Sequence, residues 1–236
     1  MVIPYPKTPE KVSLMNIFYR EPFHSWVRAL NRWVHRHSAD PTTPYLTEAV
    51  RYRESMQDIL ANWPMIRDEL DRSATWATPI QGDLFFGEDI TEDGKWRKVY
   101  IYWYGKYGRM ADRFFFPGLV GAIRRHRDIR LAMVSVLEPG GRIKAHTGPW
   151  SGSIRVHITA ISPNDPACFI VVGGEKYWWK DNDFVAFDDT YEHYVENNTG
   201  YPRIILFLDI ERKMKSVWSQ SVVRLINSTL GRLTAR

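Results

Sequence analysis

The 236-residue sequence has a single cysteine, Cys168, so no disulfide can form within the chain and a cross-linked secreted scaffold is excluded. A reducing cytoplasm suits such a chain. No apolar run approaches the roughly 18 residues of a membrane-spanning helix, and the first thirty residues lack a signal-peptide-type run before a small-residue cleavage site. The expectation is a cytoplasmic protein that neither crosses a membrane nor is exported by that route. Internal repeats and low-complexity tracts are absent, as are zinc-finger, helix-turn-helix and glycine-rich phosphate-loop patterns. Charge of one sign is only modestly in excess. The balance of 32 Lys and Arg against 27 Asp and Glu leaves +5, which admits anionic partners without calling for nucleic acid.

What the chain does have is enough apolar material, 44%, to bury one domain core, and an aromatic content of 14% that suits a core, a broad pocket or an interface. The periodicity changes along the chain. From Pro22 to His37, Phe23, Trp26, Val27, Leu30, Trp33 and Val34 recur at helical spacing, with Arg28, Arg32 and Arg36 four apart on another face. This basic amphipathic helix either packs on the domain or binds a membrane surface or partner. The Asp40–Pro44 segment reads as a turn, and Thr47 to about Arg72 as helical, with a new helix starting at Trp63-Pro64. Val99–Tyr104 reads as a strand and Pro117–Arg127 as a helix. From Ile129 on, short β segments alternate with turns: 131–137, 154–161, 168–172, 177–179, 184–187 and 204–210, the pattern of a sandwich or barrel. The tail from Glu211 holds six basic residues and one acid and reads as a second amphipathic helix.

Three histidines fall among the β segments: His146 after the Pro139-Gly140-Gly141 turn, His157 within an alternating strand, and His193 in 188-DDTYEH-193. Two neutral imidazoles on a β scaffold suit a borderline metal such as Fe(II), with a third protein ligand or water completing one face. Any one of them on a strand is as readily a hydrogen-bonded structural residue. In 154-IRVHI-158 a period of two puts Arg155 and His157 on one face and the aliphatic residues on the other. An inward guanidinium needs an anion, so Arg155 or Arg203 either holds an acidic cosubstrate by paired hydrogen bonds or forms an ion pair with Asp188, Asp189 or Asp209.

The elements 146-HTGP-149, 155-RVH-157, 187-FDDTYEH-193 and Arg203, ten residues beyond His193, together resemble the aspartyl/asparaginyl β-hydroxylase family of Fe(II)- and 2-oxoglutarate-dependent oxygenases. With 62-NWP-64, 102-YWYG-105, 137-LEPGG-141 and 208-LDIER-212, the chain is most similar to the bacterial branch that 2-hydroxylates acyl chains of lipid A. The resemblance implies an α+β fold: a cupin-like double-stranded β-helix, or jelly roll, over residues 95–212, with a helical part over 1–75 packed on it and a C-terminal helix over 213–236, in one domain. It implies His146 and His193 as iron ligands, Arg203 and Ser135 on the distal carboxylate of 2-oxoglutarate, Arg155 and His157 near its proximal carboxylate or the substrate, and dioxygen as co-reactant. An enclosing aromatic wall would keep water out, with Trp150, Tyr177, Trp178 and Tyr191 as candidates that are as readily core or rim residues. Gly148 stands where many such enzymes carry an Asp or Glu ligand, so the implied iron site has two protein ligands plus water, with Asp188 or Asp189 orienting an imidazole or water. The substrate expected is a fatty acyl chain of a membrane lipid, lipid A or an aminolipid; the alternative is an Asp or Asn side chain in a peptide, a free amino acid or a natural product. The basic amphipathic ends would hold the protein at the inner face of the membrane.

Overall fold

The structure, a computed structural model, describes residues 23–75, 77–79, 90, 91, 94–108, 111 and 116–234. Residues 1–22 of the expected helical part, and Pro22 as its first helical residue, lie outside the described residues. Helix α1 spans Phe23–His37. The expected helical stretch from Thr47 is three helices, α2 (Thr47–Arg51), α3 (Glu54–Ala61) and α4 (Trp63–Ala74). The additional break falls at Arg53, whose backbone is extended, at φ −70° and ψ 144°. Its buried guanidinium bonds Asp40 Oδ2 at 2.5 Å and the Glu211 carbonyl at 2.7 Å, and these contacts outweigh helical propensity at that residue.

Among the described residues eleven strands follow: β1 (Thr78–Pro79), β2 (Trp96–Trp103), β3 (Lys106–Tyr107), β4 (Ile129–Leu137), β5 (Arg142–His146), β6 (Ser153–Ile161), β7 (Cys168–Val172), β8 (Glu175–Trp178), β9 (Phe184–Phe187), β10 (His193–Asn197) and β11 (Arg203–Glu211). Helix α5 (Pro117–Arg125) precedes β4 and α6 (Val217–Thr234) ends the described chain. The α5 helix stops two residues before the expected Arg127, because His126 turns extended and its ring bonds Asp58 Oδ2 at 2.8 Å.

The larger sheet runs β1-β2-β4-β11-β6-β9, with β3 on β2, and the smaller β5-β10-β7-β8. All pairings are antiparallel. From β4 to β11 the chain passes back and forth between the two sheets, which is the winding of a double-stranded β-helix, so the fold is an α+β jelly roll with helices packed against it. The larger sheet is covered on both faces. Ile154, Val156, Ile158, Leu206 and Leu208 pack toward Ile59, Ile66 and Leu70 of the helices, while Leu131, Met133, Ile205 and Phe207 face the smaller sheet. That is why 204-IILFLDI-210 reads as a nearly continuous apolar run without alternation.

Candidate active site

The two strands that carry the outer histidines are absent from the strands expected from sequence. Each holds one buried aliphatic residue, Ile143 in β5 and Val195 in β10, so neither has an apolar period of its own. Their pairing is long-range, and its register sets His193 opposite His146. The ring centroids are 4.2 Å apart with planes inclined by 50°. His146 Nδ1 lies 2.7 Å from the Lys144 carbonyl and His193 Nδ1 2.9 Å from the Tyr191 carbonyl. A carbonyl only accepts, so in both rings Nδ1 carries the hydrogen and Nε2 keeps a lone pair for a metal. Burial lowers the pKa of His146 to about 4, with the Arg155 charge adding and the Lys144 carbonyl opposing. Burial, then His146, pushes His193 well below the usual imidazole range. Both are neutral at pH 7, the form that ligates. Among the described residues no group of three or more His, Cys, Asp or Glu gathers to hold a metal.

Deeper in the cleft, Arg203 at the start of β11 is fully buried with no carboxylate in ion-pair reach among the described residues. Its Nη2 donates to Ser135 Oγ at 3.2 Å, its guanidinium carbon lies 4.4 Å from the Trp179 ring centroid, and Nε and Nη1 have no hydrogen-bond partner. Burial lowers its pKa to about 10, so it stays a cation at neutral pH. Ser135 Oγ also accepts from Trp96 Nε1 at 2.9 Å. Two donors fill its lone pairs, and its own O–H is left to donate. His157 faces the same space, with neither ring nitrogen hydrogen-bonded, and burial followed by the charges of Arg203 and Arg155 pushes its pKa well down. Each buried polar group without a partner costs about 1–3 kcal/mol, a cost an anion in this cleft removes.

The two arginines differ. Arg155 takes the ion-pair alternative, at 3.0 Å from Asp189 and 3.1 Å from Asp209, the latter also accepting from Tyr104 Oη at 3.4 Å. Burial works against its charge, but the two carboxylates outweigh it and raise its pKa. Asp188 instead meets Arg212 at 2.6 Å and His35 at 3.0 Å, and its pKa is lowered because these partners outweigh burial. Gly148 is fixed by space. A Cβ there would lie 2.1 Å from Asp189 Oδ2, so the carboxylate from the neighbouring loop fills the volume a side chain at 148 would need.

The cleft is lined by Ile143, Ile170, Phe187, Val195, Phe207 and Trp96 around the polar groups. The four aromatics expected as its wall are elsewhere or committed to other contacts. Trp150 Nε1 bonds Asn227 in α6, Tyr177 Oη bonds Asp183, Tyr191 Oη bonds the Thr42 carbonyl, and Trp178 stacks with Lys180. Trp96 and Trp179, which sequence reasoning left out, touch the site through Ser135 and Arg203; their only signal was inward parity on a strand and a position next to one.

The sequence profile of the family described as aspartyl/asparaginyl beta-hydroxylase matches residues 60–213. The ornithine lipid ester-linked acyl 2-hydroxylase of Rhizobium tropici is 29% identical over 164 residues, covering 67% of this chain and 58% of that protein. The human aspartyl/asparaginyl beta-hydroxylase is 26% identical over 174 residues, covering 67% of this chain and 21% of the human one. The chain therefore spans little more than half of the first relative's length and about a fifth of the second's. Among solved structures, a Pseudomonas putida prolyl-4-hydroxylase aligns over 79% of this chain and 99% of its own at 12% identity and a TM-score of 0.43. Since the matched profile takes in both histidine strands, the Arg203 strand and the helices α4 and α5, this chain belongs to the aspartyl/asparaginyl β-hydroxylase family.

Proposed function

We propose that the protein is an Fe(II)- and 2-oxoglutarate-dependent dioxygenase that hydroxylates a fatty acyl chain of a membrane lipid, lipid A or an aminolipid. The observation that carries the chemistry is the pairing of two imidazoles with committed Nδ1 atoms and a buried guanidinium that lacks a counter-ion among the described residues. The donor set fits the group: two neutral nitrogens for a ferrous ion, and a cation with a spare hydroxyl proton for a carboxylate. When bound, iron with dioxygen supplies the oxidative decarboxylation of 2-oxoglutarate to succinate and carbon dioxide, coupled to conversion of a C–H bond to C–OH.

The chain's own residues do the positioning. His146 and His193 present Nε2, each locked by its main-chain carbonyl. Arg203 and Ser135 take the distal carboxylate of 2-oxoglutarate, with Trp179 holding the guanidinium plane in place. His157 and Arg155, the latter held by Asp189 and Asp209, lie near the proximal carboxylate or the substrate. The apolar lining keeps water from the reacting carbon.

The acyl substrate is supported by the likeness to a relative named for ornithine-lipid acyl 2-hydroxylation. The second reading, an Asp or Asn side chain in a peptide, is supported by the likeness to the human β-hydroxylase. Two measurements decide. Iron-dependent formation of succinate from 2-oxoglutarate tests the chemistry. Mass spectrometry of lipids from cells with and without the protein tests the substrate: lipids gaining one oxygen support the acyl reading, and unchanged lipids alongside an oxygenated peptide or metabolite reject it.

A further inference from the structure

The two amphipathic helices at either end of the described chain meet in space, and among the described residues each leaves apolar side chains uncovered. Leu30, Trp33 and Val34 of α1 pack with Val223 and Ile226 of α6 and with Trp150 and Met214. The start of α6 abuts the end of α1: Lys215 N donates to the His37 carbonyl at 2.9 Å, its Nζ to the Arg36 carbonyl at 3.2 Å, and Trp218 meets Trp33 edge-on at 5.6 Å. Among the described residues Trp26 remains 74% exposed, Val217 86%, Trp218 66% and Leu225 69%. Arg28, Arg32, Arg36 and Lys215 are exposed beside them, and neither helix contains an Asp or Glu. Exposed tryptophan and aliphatic side chains within a purely basic surface are complementary to an anionic lipid interface, where the rings enter the acyl boundary and the cations meet phosphates.

The same helices hold the loops that present the two histidines. Asn31 Nδ2 donates to the Pro149 carbonyl at 3.0 Å and its Oδ1 accepts from Ser151 N at 3.0 Å, three and five residues past His146. His35 bonds Asp188 Oδ2 at 3.0 Å, in the loop leading to His193, and Trp150 Nε1 donates to Asn227 of α6 at 2.7 Å. At about 100° per residue, Arg28, Arg32 and Arg36 lie around α1 between the Asn31–His35 side and the Trp26–Trp33 side. The cationic stripe therefore borders the side of the helix that grips both loops.

We infer that the α1–α6 pair is a docking surface for an anionic bilayer, seated by Trp26, Trp218, Val217 and Leu225 and by the Arg28-Arg32-Arg36 stripe, which brings the histidine cleft to the membrane face. The inference rests on the acyl-lipid reading for its purpose and on the surface alone for its test. The full chain is sedimented with vesicles of phosphatidylcholine alone and of phosphatidylcholine mixed with phosphatidylglycerol, without any candidate substrate. Binding is expected to the mixed vesicles only and to weaken with added salt. Arg32→Gln with Arg36→Gln should lower the partition coefficient about 25-fold, at about fivefold for each basic residue at an anionic surface. Trp26→Ser with Trp218→Ser should lower it too, while both variants keep iron-dependent succinate formation. Failure to pellet with either vesicle, equal pelleting of the arginine variant, or a dimer in solution that Trp218→Ser dissolves each overturns the surface as a membrane site. Intact vesicle binding with unaltered cell lipids would instead leave the surface standing and remove the substrate reading.

Discussion

Replacing Arg203 by Met has two effects of opposite sign. The guanidinium is buried without a carboxylate, and the lowering of its pKa from 12.5 to about 10 corresponds to roughly 3 kcal/mol spent against its desolvation. An unbranched apolar side chain of similar length removes that penalty. It also loses the hydrogen bond to Ser135, about 1–2 kcal/mol, and the Trp179 face contact, about 1 kcal/mol. The metal-free protein should therefore be unchanged or up to about 1 kcal/mol more stable. Binding of 2-oxoglutarate should collapse. Paired charge-assisted hydrogen bonds contribute about 1.5–3 kcal/mol each, so losing two raises the dissociation constant by at least about a hundredfold. Urea denaturation of the metal-free variant and calorimetric titration with 2-oxoglutarate measure the two quantities on one sample. Loss of more than about 2 kcal/mol of stability would show that Arg203 is a structural ion balanced within the protein, and retained affinity for 2-oxoglutarate would refute its role as the anion clamp.

His146→Ala and His193→Ala should each abolish ferrous-ion binding and succinate formation while leaving the fold intact, checked by metal analysis and circular dichroism. Gly148→Ala puts a methyl 2.1 Å from Asp189 Oδ2 and should cost about 1–3 kcal/mol in a melting experiment, with part of the loss recovered in Gly148→Ala combined with Asp189→Ala. The pH dependence of the metal-free protein carries a sign as well. His157 is held neutral by burial, so its folded pKa lies below the unfolded value of about 6.5. Its stabilising contribution is complete above that pH and is lost as the pH falls. The urea midpoint should decline more steeply between pH 7.5 and 5.5, on the order of this titration range, in the wild-type protein than in His157→Phe. Parallel curves would show that the imidazole's burial has been misjudged.

Some of these features were legible before any coordinates. The strands around Ser135, His157 and Arg203 declare themselves because the larger sheet is buried on both faces and enriches its strands in branched aliphatics. Arg155 and His157 follow from alternation on β6, and the four spaced elements around His146, His157, His193 and Arg203 carry the family resemblance. The three-way division of the Thr47–Ala74 helices was not legible, because the break at Arg53 is imposed by Asp40 and Glu211, the latter far along the chain.

Local pattern alone thus determined which residues could ligate, clamp or pack: residue type and parity are properties of short segments. The tertiary structure decided which of two arginines is ion-paired, since pairing depends on carboxylates delivered by distant segments: Arg155 receives Asp189 from the loop before β10 and Asp209 from β11, whereas Arg203 receives none among the described residues. It also decided that β5 and β10 are strands at all. With a single buried aliphatic residue each, they are held by hydrogen bonds to distant partners, and only that register brings the rings of His146 and His193 together.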